Sequence, residues 1–273
     1  MVKVRADVGL VQRGLAASRE KAQALIMAGL VYQREVKITK PSESVDDVSL
    51  LHVREGSHPY VSRGALKLEK ALRVFHADVR GKVAMDIGAA AGGFTDVLLR
   101  NGAAHVYAID VGYGQLDWMI RNDPRVTALE RTNARYLSPE NFEKAPALAV
   151  MDVSFISVKL ILPVAGKLMG ERGIFYILIK PQFEAGREKV GKKGVVRDSS
   201  VHTAVIEDIL KFSLDIGYAM TQLDFSPIKG PEGNIEYLAE LLPIFSGVQT
   251  VHGQMVAHVV ASAHHTLGRA RIE

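Results

Sequence analysis

Four charged residues stand where the surrounding pattern calls for burial. Lys67 follows Ser62-Arg63-Gly64-Ala65 on an amphipathic helical pattern, and Asp152 closes the apolar run ALAVMDV. Lys180 closes IFYILIK, immediately before Pro181, and Glu236 sits in GPEGNIEYL, within a late strand pattern. Charges are seldom fully buried unless paired. A lysine that loses its proton, through burial and a neighbouring cation, becomes a general base for a hydroxyl. The bland reading of the same residues is a structural ion pair between Asp152 and Lys180 at a sheet edge.

A second constellation is the strand end Asp86-Ile87-Gly88-Ala89-Ala90-Ala91-Gly92-Gly93-Phe94. A dinucleotide fingerprint wants glycine at positions 88, 90 and 93, and position 90 is alanine. A P-loop is excluded too, because no Gly-Lys-Ser/Thr follows. What remains suits a nucleoside that carries no phosphate. Asp110 ends the next strand, where a carboxylate can accept both hydroxyls of a ribose. S-adenosylmethionine fits this chemistry, having adenosine and an amino-acid arm but no phosphate. Its expected contacts are Asp86, Gly88, Gly92, Gly93, Phe94 and Asp110, with Asn133 of RTNARYL approaching adenine at a strand end. Tight packing of a helix on a strand explains the turn equally simply. Trp118 and Tyr113, just downstream of Asp110, offer either a stacking face for adenine or core, with core the expected reading.

These residues need a frame. Strand-like runs VAMDI, HVYAID, ALAVMDV and IFYILIK alternate with helix-like runs FTDVLLR, ISVKLILPVAGKLM and VHTAVIEDILKFSLD. That alternation predicts an α/β, Rossmann-like, doubly wound and mostly parallel sheet, whose ligands bind at the carboxyl ends of the strands. The frame is expected over residues 59–273, with a linker from residue 54 feeding the amphipathic helix. Residues 1–58 read as a separate small α+β domain. Ser18 caps the helical pattern SREKAQALIMAG, Gly29 ends it, and LVYQREVKITKPS follows as a strand pair before VSLLHV.

Charge points to a polyanion. The formal net charge of +4 is unevenly spread. Residues 1–40 carry Lys3, Arg5, Arg13, Arg19, Lys21, Arg34, Lys37 and Lys40 against Asp7, Glu20 and Glu35. Arg19 and Lys21 oppose the dipole of their own helix, a penalty that a phosphate docked at Ser18 would reverse. Arg63 heads one further cluster, and Lys192 and Lys193 lie in the glycine-rich, basic run 182–197, expected to be a mobile loop over RNA phosphates. A solvated positive face or a plain surface loop is the rival account.

The first fifty residues resemble the small RNA-binding domain named after a ribosomal small-subunit protein, with Arg34-Glu35 where that family usually has Asn-Gly. Over nearly the whole chain, YVSRGALKL, DIGAAAGGFTDVLL, AIDVGYGQL, RTNARYL, MDVSFIS, LIKPQFEAG and GPEGNIEYL resemble the TlyA, or hemolysin A, family, related to the FtsJ-type ribose methyltransferases. The resemblance implies a class I methyltransferase domain with S-adenosylmethionine at the Gly88 turn and Asp110. It also implies a tetrad of Lys67, Asp152, Lys180 and Glu236, and a ribose 2′-hydroxyl of ribosomal RNA as acceptor. Lys180 is the expected base, with Asp152 as the rival assignment. Ala90-Ala91 departs from the family, in which a hydroxyl residue is common there.

Composition removes other classes. A chain of 273 residues, 48% hydrophobic and without cysteine, is not disordered and holds no disulfide scaffold, zinc ribbon or thiol nucleophile. No secretory h-region is seen at MVKVRADVGL, and the longest stretch without Asp, Glu, Lys or Arg is too polar to span a bilayer. The expectation is a cytoplasmic enzyme acting on ribosomal RNA or ribosomal subunits, with no metal, no membrane span and no obligate protein partner. The clustered histidines near the C-terminus read as a solvated helix face. Two rivals are a membrane-active cytolysin, which lacks an insertion element, and an RNA-binding assembly factor that transfers no methyl group.

Overall fold

The computed structural model describes residues 3–27, 29–34, 36–53, 58–244 and 249–268, and all counts below are of those residues. The chain forms two compact units, Met1–Ser62 and Arg63–Glu273.

In the first unit, β1 (Val4–Arg5) leads into α1 (Ala6–Gln12) and α2 (Arg19–Met27), followed by β2 (Val31–Gln33), β3 (Val36–Lys37), β4 (Ser44–Val45) and β5 (Leu51–Val53). The strands pair antiparallel as β3-β2-β5 and β1-β4. Leu10, Ile26, Val31, Ile38 and Leu51 fill the core between them. The Lys21 amide donates to Ser18 Oγ at 3.3 Å, closing the first turn of α2, and Gly29 ends it at φ +71°. Arg34 takes the left-handed φ of +53° that the β2–β3 turn requires. A side chain is strained there, which is why Asn-Gly is the common choice. Glu35 lies outside the described residues, as do 54–57, where the expected linker begins.

The second unit opens with α3 (Ala65–Val74) and then alternates. It runs β6 (Val83–Ile87), α4 (Gly93–Arg100), β7 (His105–Ile109), α5 (Trp118–Arg121), β8 (Val126–Leu129), β9 (Leu148–Met151), α6 (Leu162–Met169), β10 (Ile174–Ile179), α7 (Pro181–Glu184), α8 (Ser199–Asp215), β11 (Tyr218–Phe225), β12 (Tyr237–Pro243) and α9 (Gly253–Gly268). The expected single helix over ISVKLILPVAGKLM is split. A 3-10 turn at Val158–Leu160 precedes α6, whose Pro163 sits in the first turn, where no N–H is needed.

The sheet order is β11-β12-β10-β9-β6-β7-β8, with β12 the one strand antiparallel to its neighbours. Its central strands are buried on both faces, so they read as near-continuous apolar runs rather than alternating ones. This topology carries the chemistry. Parallel strands deliver their carboxyl ends to one edge, and an antiparallel strand delivers its amino end to that same edge. The order reverses between β6 and β9, which opens a crevice there.

Candidate active site

Each element contributes one residue to the edge. Asp152 follows β9, Lys180 follows β10, and Glu236 immediately precedes β12, just outside the strand that was expected to contain it. Lys67 projects from the first turn of α3, whose Ala65, Leu68, Ala71 and Leu72 are buried and fix the helix against the unit's core. The four side chains meet. Lys180 Nζ lies 2.7 Å from Asp152 Oδ1, Lys67 Nζ lies 3.4 Å from Asp152 Oδ2, and Lys67 Nζ lies 2.7 Å from Glu236 Oε2. Asp152 thus bridges the two lysines.

Lys67, Lys180 and Glu236 are buried, so the cluster is held in a low-dielectric setting. The two 2.7 Å contacts are ion pairs rather than aligned hydrogen bonds, and Asp152 Oδ1 and Glu236 Oε2 keep unused lone-pair directions. Burial alone pulls the Lys67 ammonium down. The charges of Asp152 and Glu236 outweigh it and leave Lys67 above the ordinary lysine value. Lys67 is the resident cation. Gly230 makes room for its partner, because a Cβ at position 230 would lie 2.6 Å from Glu236 Oε1.

Lys180 Nζ also donates to Ser154 Oγ at 2.9 Å. Two of the three directions on that nitrogen are therefore used, by Asp152 and Ser154, and one remains. Nothing in the sequence singled out Ser154.

Beside the tetrad lies a cavity of about 420 Å³ lined by Gly88, Ala90, Asp110, Asn133, Asp152 and Phe155 among others. Gly88 adopts φ +87°, and a Cβ there would lie 2.6 Å from the Asp152 carbonyl oxygen. Only glycine lets the β6 turn pass so close to the backbone after β9. Asp110 accepts from the Ala90 amide at 2.8 Å and the Gly112 amide at 2.7 Å, which locks the carboxylate in place and leaves lone pairs over for hydroxyls. Asn133 Oδ1 accepts from the Arg135 amide, so the side chain caps a turn as it lines the cavity.

Other residues named for the cofactor stand elsewhere. Asp86 is fully buried, accepting from the Thr95 amide at 2.9 Å and the Thr95 hydroxyl at 2.7 Å. Its Oδ1 has no hydrogen-bond partner, and burial pushes its pKa up to about 7. Gly92 and Gly93 form the start of α4, and Phe94 is buried beneath it. None of these four is among the residues that line the cavity. The cavity still fits S-adenosylmethionine by its lining: a fixed carboxylate at the end of β7 and apolar walls from Ile109, Val111 and Val153.

Two sequence readings are corrected here. Trp118 and Tyr113 do not fill core. They are 75% and 68% exposed on the rim beyond Asp110, with the Arg131 guanidinium 4.2 Å over the Tyr113 ring. The short α5 turns Trp118 outward because Asp117 caps it, accepting from the Met119 amide. His264 is likewise no member of a solvated face, for its ring nitrogen stands 3.1 Å from buried His202.

Phe155 went unnoticed in the sequence. It is 92% exposed and held at φ +64°, a conformation rare for a side chain of its size. Its ring lies 5.0 Å from that of Phe183, and it lines both the cavity beside the tetrad and a neighbouring pocket with Gln182, Phe183, Gly186, Arg187 and Val190.

In the first unit, a residue outside the expected set organises the expected ones. Asp7 is fully buried and accepts from Arg5 at 3.0 and 2.9 Å, from Arg19 at 3.1 Å and from Gln23 at 3.1 Å. These bonds, Arg5 foremost, hold its carboxyl well below the usual range. Arg5 and Arg19 remain about half exposed. Arg13 donates to the Val48 and Ser49 carbonyls, Ser18 caps α2, and Lys21 is exposed. In the second unit, Arg63, Lys192 and Lys193 are exposed.

Fold and edge together define a class I methyltransferase. The family model for FtsJ-like methyltransferase matches residues 60–241. The chain is 44% identical to the 16S/23S rRNA (cytidine-2′-O)-methyltransferase TlyA of Mycobacterium tuberculosis, over 86% of this chain and 88% of that one. It is 41% identical to hemolysin A of Brachyspira hyodysenteriae, over 88% of this chain and 100% of the other. A solved structure named as a hemolysin from Streptococcus thermophilus matches with TM-score 0.77 at 45% identity, covering 98% of both chains. The chain belongs to the TlyA, or hemolysin A, family of FtsJ-like methyltransferases. S-adenosylmethionine is the cofactor expected of it. Among the described residues no helix is long and apolar enough to cross a membrane, and no group of three or more His, Asp or Glu is placed to hold a metal.

Proposed function

We propose that this protein methylates the ribose 2′-hydroxyl of ribosomal RNA, using Lys67, Asp152, Lys180 and Glu236 as its catalytic tetrad. The observation that carries the reading is Asp152 bridging Lys180 and Lys67 at the sheet edge, beside a cavity suited to adenosine. S-adenosylmethionine, when bound, supplies a methyl group already activated by its sulfonium. The protein then has two tasks, aligning the hydroxyl and removing its proton. Lys180 as the neutral amine accepts that proton on the one nitrogen direction its contacts leave over. Asp152 and Ser154 fix where that direction points. Lys67 stays charged and, anchored by Glu236, holds Asp152 in place. Both oxygens of Asp152 already lie against lysine nitrogens, which favours Lys180 over Asp152 as the base.

Recruitment fits the basic first unit. Asp7 sets Arg5 and Arg19 side by side near exposed Lys21, an arrangement for phosphates rather than bases. Phe155 and Phe183 offer a face on which a nucleobase drawn out of its stack can rest while its ribose is presented to Lys180. TlyA of M. tuberculosis and its Campylobacter jejuni namesake carry cytidine-2′-O-methyltransferase names, which supports the same acceptor here.

The test is transfer of labelled methyl from S-adenosylmethionine to ribosomal subunits and to naked ribosomal RNA, with Lys180→Ala alongside. Nuclease digestion then locates the label. Ribose label that disappears in the variant supports the reading. Base label, or no label on any substrate despite tight RNA binding, removes it and favours the assembly-factor alternative.

A further inference from the structure

The basic run after Lys180 ends in a structure that the reaction itself does not need. Lys192 and Lys193 are the two central residues of a tight turn, closed by the Gly194 amide donating to the Gly191 carbonyl at 2.8 Å. Directly behind the turn, two buried polar side chains converge on Gly194 and Val196, and a third backs one of them. Asn234 Nδ2 donates to the Gly194 carbonyl at 2.9 Å, and Asn234 Oδ1 accepts from the Val196 amide at 3.0 Å. His202 Nε2 donates to the Val196 carbonyl at 3.0 Å, while its Nδ1 lies 2.7 Å from the Tyr237 hydroxyl. A carbonyl can only accept, so the Nε2 proton is fixed and Nδ1 is left to accept, with the Tyr237 hydroxyl and, at 3.1 Å, His264 Nε2 as its neighbours. Asn234, His202 and Tyr237 are at most 2% exposed.

Burying an amide, an imidazole and a phenol costs stability unless each is bonded, and apolar side chains would fill the same space more cheaply. What the polar set adds is a defined position for the turn. That position is tied to the tetrad, because Asn234 and Tyr237 flank Glu236 in the segment 234–237. We propose that Asn234 and His202 are positioning residues, a latch that holds the Lys192-Lys193 turn in fixed register with Glu236 so that RNA phosphates gripped by the turn are aligned with the tetrad. This rests on the RNA substrate reading above, whereas the latch itself does not.

The experiment uses the full chain with Asn234→Ala, and measures tryptic cleavage after Lys192 and Lys193, KM for ribosomal RNA, and S-adenosylmethionine affinity. Releasing the latch raises local opening without global unfolding, so cleavage accelerates by about tenfold at a nearly unchanged Tm. KM rises about fivefold, cofactor affinity stays within about twofold, and in a Lys192→Ala/Lys193→Ala background Asn234→Ala adds almost nothing to KM, since both changes act through one turn. Unchanged cleavage overturns the latch, and a full additive rise in KM overturns the positioning role. If Lys192→Ala/Lys193→Ala leaves KM alone, the RNA reading of the turn fails and cleavage decides the latch by itself. Should Asn234→Ala not fold, His202→Ala against His202→Gln replaces it: glutamine keeps a donor for Val196 and restores slow cleavage, and equal cleavage in the two overturns the latch.

Discussion

Ile179 and Tyr237 are direct partners across the antiparallel pair β10–β12. The residue after one and the residue before the other are Lys180 and Glu236, so a single register pairing brings a lysine and a glutamate to the same sheet edge from 56 positions apart in sequence. Register has period two in side-chain direction, and a one-residue slip of β12 would turn Glu236 away from the face that Lys180 keeps. The reversed strand is thus part of the site. Without it, Glu236 would stand at the far edge and Lys67 would have one counter-charge in place of two.

That dependence makes the Lys67–Glu236 pair testable as a unit. Lys67→Met leaves Glu236 and Asp152 facing each other without their shared cation, a buried uncompensated charge that costs about 3–5 kcal/mol. Lys67→Met combined with Glu236→Met removes both and recovers most of that loss, because apolar groups of similar volume fill the space. Activity stays absent in both. Chemical denaturation of the parent, both single variants and the double variant gives the coupling, and an additive double variant would show that the pair is not a unit.

The sequence carried this site well because its residues close strands. Asp110, Asp152 and Lys180 each end an apolar run, and strand ends at a parallel edge are where ligands sit. What it hid depends on neighbours that no local pattern encodes. Asp7 looked like an ordinary acid in a first helical turn, since Arg19 and Gln23 reach it from another helix. Trp118 read as core by type alone, although the four-residue α5 is too short to bury both its faces. Phe155 follows Val153 and Ser154 just past a strand end, and its left-handed backbone at φ +64° is not written in any local pattern.

Lys180→Arg distinguishes a base from a mere cation. Arginine keeps positive charge and can reach Asp152, yet it does not lose its proton in a protein. If Lys180 works only by holding charge near Asp152, the variant retains a substantial part of the rate. As a base it cannot be replaced this way, and single-turnover methyl transfer falls by about 10²- to 10⁴-fold with S-adenosylmethionine affinity unchanged. Rapid-quench measurement of labelled RNA reads the difference directly.

Asp86 gives the stability of the second unit a definite pH signature. Burial raises its pKa from the ordinary 3.8 to about 7, against the pull of the two Thr95 bonds. Between those values the folded chain holds a proton that the unfolded chain has lost. Its contribution is complete below about pH 4 and is lost as pH rises through 7. Asp86→Asn needs no proton, so its advantage over the parent grows from near zero at pH 4 to on the order of 2–4 kcal/mol at pH 8. His202, lowered to about 4 by burial, acts in the opposite sense, its contribution fading as pH falls from 6.5. It is present in both proteins and cancels in the difference. Paired thermal melts across pH 4–8 without cofactor test this, and a difference that does not change with pH would show that Asp86 ionises normally.

Phe155 separates stability from function most cleanly. At φ +64° a phenylalanine carries backbone strain, and exposure means its ring recovers little by packing except against Phe183. Phe155→Gly relieves the strain and is expected to leave Tm unchanged or raise it slightly, by up to about 1 kcal/mol of added stability. Phe155→Ala keeps the strain and loses the ring, so it melts lower than the glycine variant. If the ring is a resting face for a nucleobase, both variants nonetheless lose RNA-dependent rate alike, by about 1–3 kcal/mol in kcat/KM, and Phe155→Tyr restores it. Stability then tracks the backbone while activity tracks the ring. A rate that follows Tm instead would make Phe155 a structural residue of the loop and leave the acceptor base without a platform.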